Sequence, residues 1–229
     1  MRAVATVLFI EDDRAIRAAL RLALEDEGYD VREAGDGRSG LADLASGGVD
    51  VVLLDLRLPD MSGFDVCHEI RSSSQVPVIM VTAQSDTHDL VAGLEAGADD
   101  YVTKPVVVKE LAARIRVALR RHRQSLAETE VLRIGNVELL RGQGIVRKEG
   151  REVAVTRTEF NLLCEFADHP NMVLSRDQLL ERVWGYDYLG DSRLVDAHIR
   201  RLRVKIEDKP EDPRLLLTVR GLGYRMNSN

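Results

Sequence analysis

The side chains of this sequence best equipped for chemistry sit at the ends of short apolar runs. "FIEDD" closes the first run with Glu11, Asp12 and Asp13, "LLDLRLPD" closes another with Asp55, "PVIMVTA" carries Thr82, and "DYVTKP" carries Lys104. Carboxylates gathered in one pocket repel one another, and a hard divalent cation that prefers oxygen ligands relieves the repulsion. With an ammonium and a hydroxyl beside them, the set suits phosphoryl transfer, where positioning and charge stabilisation supply most of the catalysis. In that reading Asp55 is the attacking oxygen and becomes a covalent phosphoacceptor. Mg2+ and Lys104 neutralise the equatorial oxygens, and Thr82 hydrogen-bonds the product. Asp13 has a simpler use as the N-cap of the next helix, but capping does not account for Asp55, Thr82 and Lys104 at three other ends.

These residues converge only if the runs are strands with their carboxyl ends on one edge. "ATVLFI", "YDVREA", "VDVVLLDL", "PVIMVTA" and "DYVTKP" read as five strands. Between them lie amphipathic helices, such as Arg14 to Glu27 with Ile16, Leu20 and Leu24 at four-residue spacing. Alternation of this kind predicts an α/β domain with a parallel sheet covered on both faces and a ligand site outside the strands' carboxyl ends, where strand order reverses.

After a helix from Lys109 to Arg123 the polar segment "QSLAETEV" interrupts the pattern, which places a first domain at 1–123, a linker at 124–130 and a second domain at 131–229. The second domain has a different grammar. Strand-like pieces in "LRIGNVELL" and "GIVRKEGREVAV" are followed by helical stretches near 156–168, 175–184 and 191–208, and "LLLTVRGLGYRM" ends the chain as a hairpin.

The 229 residues are 45% hydrophobic and 31% charged, a globular composition, and no apolar run approaches the roughly 18 residues of a membrane span. The expected location is the cytoplasm. Cys67 and Cys164 have no CxxC or His spacing and read as buried free thiols. The net charge of −6 belongs to residues 1–123, with 15 basic and 21 acidic side chains, whereas residues 124–229 carry 17 of each. Within the second half, Arg193, Arg200, Arg201, Arg203 and Lys205 face one acid, Asp196, a local concentration of charge that suits a polyanion.

"FIEDD", "LLDLRLPDMSG", "VTA" and "GADDYVTKP" resemble the signature of the receiver domains of bacterial two-component response regulators, over residues 6–122. The resemblance implies strand order 2-1-3-4-5 and phosphorylation of Asp55 by a sensor histidine kinase. It implies Mg2+ held by Asp12, Asp55 and the backbone carbonyl of Arg57, with Glu11 acting through water, and a cis peptide between Lys104 and Pro105. Thr82 and Tyr101 match the family's switch pair, and Asp99, Asp100, Glu110, Arg114 and Arg121 match a dimer face with intermolecular pairs Asp100–Arg114 and Asp99–Arg121. Leu90 and Val106 depart from the family pattern, Leu90 where a basic partner of Glu110 is usual and Val106 where an aromatic is usual.

In "DSRLVDAHIRRLRVKIED", Val195, Ile199, Leu202 and Ile206 form one buried helical stripe. The opposite face then shows Arg193, Ala197, Arg200, Arg201 and Val204, a composition suited to the major groove. Residues 130–226 resemble the winged-helix effector domain of the OmpR/PhoB subfamily. The resemblance implies a recognition helix with Arg193, Ala197, His198, Arg200, Arg201 and Arg203 at contact positions, a wing with Arg220, and backbone contacts from Arg176, Trp184, Thr218 and Tyr224. His198 reads as a phosphate or water contact, and Trp184 as a packing residue first.

The whole reads as a transcriptional response regulator: phosphorylation favours a homodimer that binds tandem half-sites on double-stranded DNA, with RNA polymerase a further partner the resemblance allows. It is not expected to be an enzyme beyond self-phosphorylation from donors and slow autodephosphorylation. Haloacid dehalogenase-type phosphatases, which also use an aspartate nucleophile, need a second aspartate two residues on, where this chain has Arg57. The remaining alternative, a phosphorylation-controlled protein-binding module, predicts no salt-dependent affinity for DNA.

Overall fold

The computed structural model describes residues 4–82, 96–124 (backbone alone from 120), 131–185 and 192–227. The chain divides into two units, residues 1–119 and 120–229. The expected boundary at 123 falls inside a helix that runs to Gln124.

The first unit contains β1 (Thr6–Ile10), α1 (Arg14–Asp26), β2 (Asp30–Ala34), α2 (Gly37–Ala45), β3 (Val51–Asp55), α3 (Gly63–Ser73), β4 (Val78–Thr82), β5 (Asp100–Thr103) and most of α4 (Val108–Gln124), which runs past residue 119. The five strands form one parallel sheet in the order β2-β1-β3-β4-β5. All five residues of β3 and of β4 are buried, as continuous apolar runs covered on both faces require. Val7, Phe9, Val51, Leu53, Ile79 and Val81 line one face and pack with Leu20 and Leu24 of α1 and Leu111 and Ile115 of α4. Val106 packs against the same cluster, which accommodates the missing aromatic. Helix starts follow from capping chemistry: Asp13 accepts the N–H groups of Ala15 and Ile16 at 2.7 and 3.1 Å, and Ser62 accepts that of Phe64. Backbone hydrogen bonding to the Asp13 carboxylate holds its pKa below the ordinary value.

The second unit opens with an antiparallel sheet of β6 (Val131–Ile134), β7 (Val137–Leu140), β8 (Ile145–Lys148) and β9 (Arg151–Val153). Three helices follow: α5 (Arg157–Asp168), α6 (Arg176–Trp184) and α7 (Arg193–Ile206). Thr156 with Glu159, and Ser175 with Gln178, form reciprocal capping boxes that start α5 and α6. A three-stranded sheet joins β10 (Val173–Leu174) to the terminal hairpin of β11 (Leu216–Val219) and β12 (Gly223–Met226) in the order β10-β12-β11. Strand β10 was not foreseen from the sequence. Gly223 permits it: its φ is +138°, and a Cβ there would lie 2.1 Å from the carbonyl oxygen of Leu174. Among the described residues, no helix is long and apolar enough to cross a membrane.

Candidate functional site

Parallel pairing brings the ends of β1, β3, β4 and β5 to one edge. Carboxylate oxygens of Glu11, Asp12 and Asp55 lie within 4.8 Å of one another there, a hard-oxygen donor set that fits Mg2+. Glu11 is 1% exposed and Asp55 6%, while Asp12 is exposed at the rim. Lys104 Nζ donates to Glu11 Oε2 at 2.6 Å and to Asp55 Oδ2 at 3.0 Å. Burial opposes its charge, but the two carboxylates outweigh burial and hold Lys104 above its ordinary pKa. Glu11 is raised, by desolvation first and then by the Asp55 charge, against the pull of Lys104. Thr82 is buried at the end of β4, and its carbonyl accepts the Lys104 N–H at 2.7 Å. The Lys104–Pro105 peptide is cis. Arg57 is exposed two residues past Asp55 and bridges to Ser62. Tyr101 is half-buried on β5. Gly63 begins α3 so close to the strand end that a Cβ would lie 2.2 Å from the Asp55 carbonyl oxygen.

The basic helix is more deeply seated than its periodicity suggests. In α7, Leu194, Val195, Ala197, His198, Ile199, Leu202 and Ile206 are all buried. Arg193, Arg200 and Val204 are left as the exposed stripe, at spacings of seven and four. Four of the expected contact positions lie off that stripe. Ala197 is 7% exposed and His198 fully buried, the His198 ring 5.4 Å from that of Trp184, so neither faces outward. Arg201 turns inward to an ion pair with fully buried Glu159, Nε to Oε1 at 2.9 Å, and Lys205 Nζ meets Glu159 Oε2 at 2.6 Å. Arg203 binds the terminal hairpin, Nε to the Leu216 carbonyl at 2.9 Å and Nη2 to Thr218 Oγ1 at 2.8 Å. The proposed backbone contacts change too. Tyr224 is 5% exposed, and its hydroxyl donates to Asp196 Oδ1 at 2.6 Å. Burial, joined by that bond to Asp196, pushes its pKa to about 12. Trp184 is 3% exposed and packs. Arg176 reaches Asp196 Oδ1 at 2.7 Å, while Thr218 and the hairpin-tip residues Arg220, Gly221 and Leu222 are exposed.

An acidic, lysine-capped strand edge in one unit and a helix with a projecting hairpin in the other match two family models. Residues 7–116 match the response regulator receiver domain, and residues 150–226 the C-terminal domain of transcriptional regulatory proteins. The chain is 47% identical over 219 residues to the DNA-binding response regulator MtrA of Mycolicibacterium smegmatis, covering 96% of this chain and 95% of that one. It belongs to the OmpR/PhoB family of response regulators. The transcriptional regulatory protein AfsQ1 of Streptomyces coelicolor is 48% identical over 222 residues, covering 97% of this chain and 98% of its own. Among solved structures, a point mutant of RitR superposes with a TM-score of 0.80 at 28% identity, covering 98% of this chain and 100% of that one. DrrB of Thermotoga maritima, described as an OmpR/PhoB homologue, gives 0.52 at 31% identity, covering 98% and 99%. This response regulator therefore joins a receiver domain to a DNA-binding domain.

The acidic residues expected on the receiver's dimer face are engaged within the chain. Asp99 is buried, bonded within the chain to Arg71 Nη2 at 2.6 Å and to the Val78 N–H at 3.0 Å. Asp100 does meet Arg114, but internally, with Arg114 Nη1 3.0 Å from both carboxylate oxygens and Nη2 2.6 Å from Glu110 Oε1. The side chain of Arg121, and Leu90 altogether, lie outside the described residues. Two carboxylates escaped the sequence reading. Glu159 was legible as the N3 residue of a capping box, whereas Glu207, which accepts three backbone N–H groups beyond α7, has no local signature.

Proposed function

We propose that this response regulator is switched by phosphorylation of Asp55 and acts through α7 and the β11–β12 hairpin on double-stranded DNA. The observation that carries the first half is Lys104 Nζ bridging Glu11 and Asp55 at the carboxyl edge of the sheet. An Asp55 carboxylate oxygen attacks phosphorus on the phosphohistidine of a sensor kinase; the P–N bond breaks, and the imidazole leaves with the electron pair. Lys104 transfers part of its hydrogen bonding to the phosphoryl oxygens, and Thr82 donates its hydroxyl to them. Glu11, Asp12, Asp55 and the Arg57 carbonyl would hold Mg2+, which supplies charge neutralisation when bound. Tyr101 follows Thr82 as the switch.

Arg193, Arg200 and Val204 form the major-groove stripe, with Arg220 at the tip of the hairpin as the wing contact. Dimerisation on phosphorylation trades the internal Asp100–Arg114–Glu110 pairing for pairs across a two-fold axis, and tandem half-sites are then occupied together. Linking two weak half-site contacts raises affinity by about 10² to 10⁴ without new base contacts. The protein acts in the cytoplasm, with RNA polymerase as its downstream partner.

The test is selection of binding sites from random duplex DNA at fixed salt, with and without a small-molecule phosphodonor, using Asp55→Ala as control. A direct repeat enriched more strongly with donor, and not in the variant, is expected. Enrichment indifferent to donor would remove Asp55 as the switch, and no enrichment would overturn the DNA face.

A further inference from the structure

The last turn of α7 and the first strand of the terminal hairpin are joined from both sides. Glu207, the C-cap of α7, is 7% exposed. Its Oε2 accepts the Arg214 N–H at 3.0 Å, and its Oε1 accepts those of Leu215 and Leu216 at 2.9 and 2.8 Å. One turn earlier, Arg203 holds the carbonyl of the same Leu216 and the hydroxyl of Thr218, with its guanidinium 5.8 Å from the centre of the Tyr224 ring. An anion therefore takes the donors of residues 214–216 and a cation the acceptors of Leu216 and Thr218, from two positions four residues apart, in the last turn of α7 and at its C-cap. Hydrogen bonds to ionised partners are the strong ones, and these five act on a stretch of only five residues, 214–218.

We propose that Glu207 and Arg203 are positioning residues that fix the wing relative to the recognition helix, so that Arg220 enters its groove while Arg200 occupies its own. The inference rests on the DNA-facing reading given above. Pre-setting two contacts removes the ordering cost of the second. With the clamp loosened, the hairpin still forms through β12 and β10, but its tip is no longer held where the DNA needs it. Arg203 thus serves DNA binding without touching DNA.

The experiment is a double-mutant cycle on the full chain, measured by fluorescence anisotropy on a labelled duplex carrying the selected repeat. Arg220→Ala is expected to weaken binding about tenfold in the otherwise unaltered chain, and less than about twofold in a Glu207→Ala background. Arg200→Ala is expected to cost the same in both backgrounds, a selectivity that general destabilisation would not produce. Equal Arg220 losses in both backgrounds, or coupling to Arg200 as strong as to Arg220, would overturn the clamp. Should Trp184 emission show Glu207→Ala unfolded, Glu207→Gln replaces it, keeping one acceptor oxygen for Leu215 and Leu216. Partial coupling to Arg220 is then expected, and none would overturn the proposal. If neither arginine variant weakens binding in the unaltered background, the DNA face itself falls and takes the clamp with it.

Discussion

Substitution of Glu159 by Gln should move stability and DNA affinity in opposite directions. Gln is nearly isosteric and, at the N3 position, can still accept the Thr156 N–H that Glu159 Oε2 takes at 2.8 Å. The capping box survives, so the change isolates the charge. Lost are the ion pairs to Arg201 and Lys205, at 2.9 and 2.6 Å around a carboxylate that is 0% exposed. The Lys205 contact is a charge-assisted hydrogen bond, of a kind that contributes about 1.5–3 kcal/mol, and the Arg201 contact adds Coulombic attraction to it. The Arg201 and Lys205 side chains keep 11% and 28% exposure, so both can swing toward water and recover part of that. A net loss of about 2–3 kcal/mol follows. Trp184 is the single tryptophan and is buried in the DNA-binding domain, so its emission in urea reports that domain alone within the full chain. With a slope near 2 kcal/mol/M, the midpoint should fall by about 1–1.5 M. Meanwhile two released cations flank the exposed stripe of α7. Non-specific duplex affinity should rise at low salt, and the log–log salt slope should steepen by up to about 0.9 per added phosphate contact. A stability change under about 0.5 kcal/mol would refute the buried-pair argument, and an unchanged slope would refute the claim that Glu159 withholds these cations from DNA.

Three further outcomes are expected. Gly63→Ala, whose Cβ would collide with the Asp55 carbonyl, should retain receiver secondary structure by circular dichroism yet lose most phosphodonor-driven modification of Asp55, read by intact mass. Arg200→Ala should weaken specific DNA binding by about 1–3 kcal/mol with little effect on unfolding, whereas His198→Ala, at a fully buried ring, should destabilise the domain by at least about 1 kcal/mol and leave the salt slope unchanged. Burial pushes the Cys164 thiol up to about 11, and Cys67 is wholly buried, so neither should be alkylated appreciably by iodoacetamide at pH 8 until the chain is unfolded. Because a thiol raised above its ordinary value keeps its proton better in the fold than in the unfolded chain, the Cys164 contribution is complete at neutral pH and disappears as pH climbs through about 9 to 11.

The receiver was legible because its central strands β3 and β4 are buried on both faces and spell themselves as apolar runs that end on Asp55 and Thr82, while Lys104 directly follows the less apolar β5. The DNA-binding face was less so. Periodicity finds one buried stripe on a helix, but α7 is covered over a wider arc, and nothing local says that Ala197 and His198 lie inside it. Nor does sequence show where a long side chain goes; no local pattern announces the partners of Arg201 and Arg203, 42 and 13 residues away in Glu159 and Leu216. Asp99 and Asp100 teach a smaller lesson. Neighbours at a strand's start point to opposite sides, and one goes to Arg71 while the other goes to Arg114.

The cluster of Glu11, Asp55 and Lys104 draws its members from the first, third and last strands of the sheet, and Lys104 follows Glu11 by 93 residues. No piece of the chain that stops short of residue 104 contains the lysine that links the two carboxylates. A ribosome must deliver most of the receiver, and β5 must find its edge beside β4, before there is a pocket at all. If Asp55 is the phosphoacceptor proposed above, competence to receive a signal is a property of the finished sheet, and a chain still emerging, or one that has lost its last strand, is deaf to it.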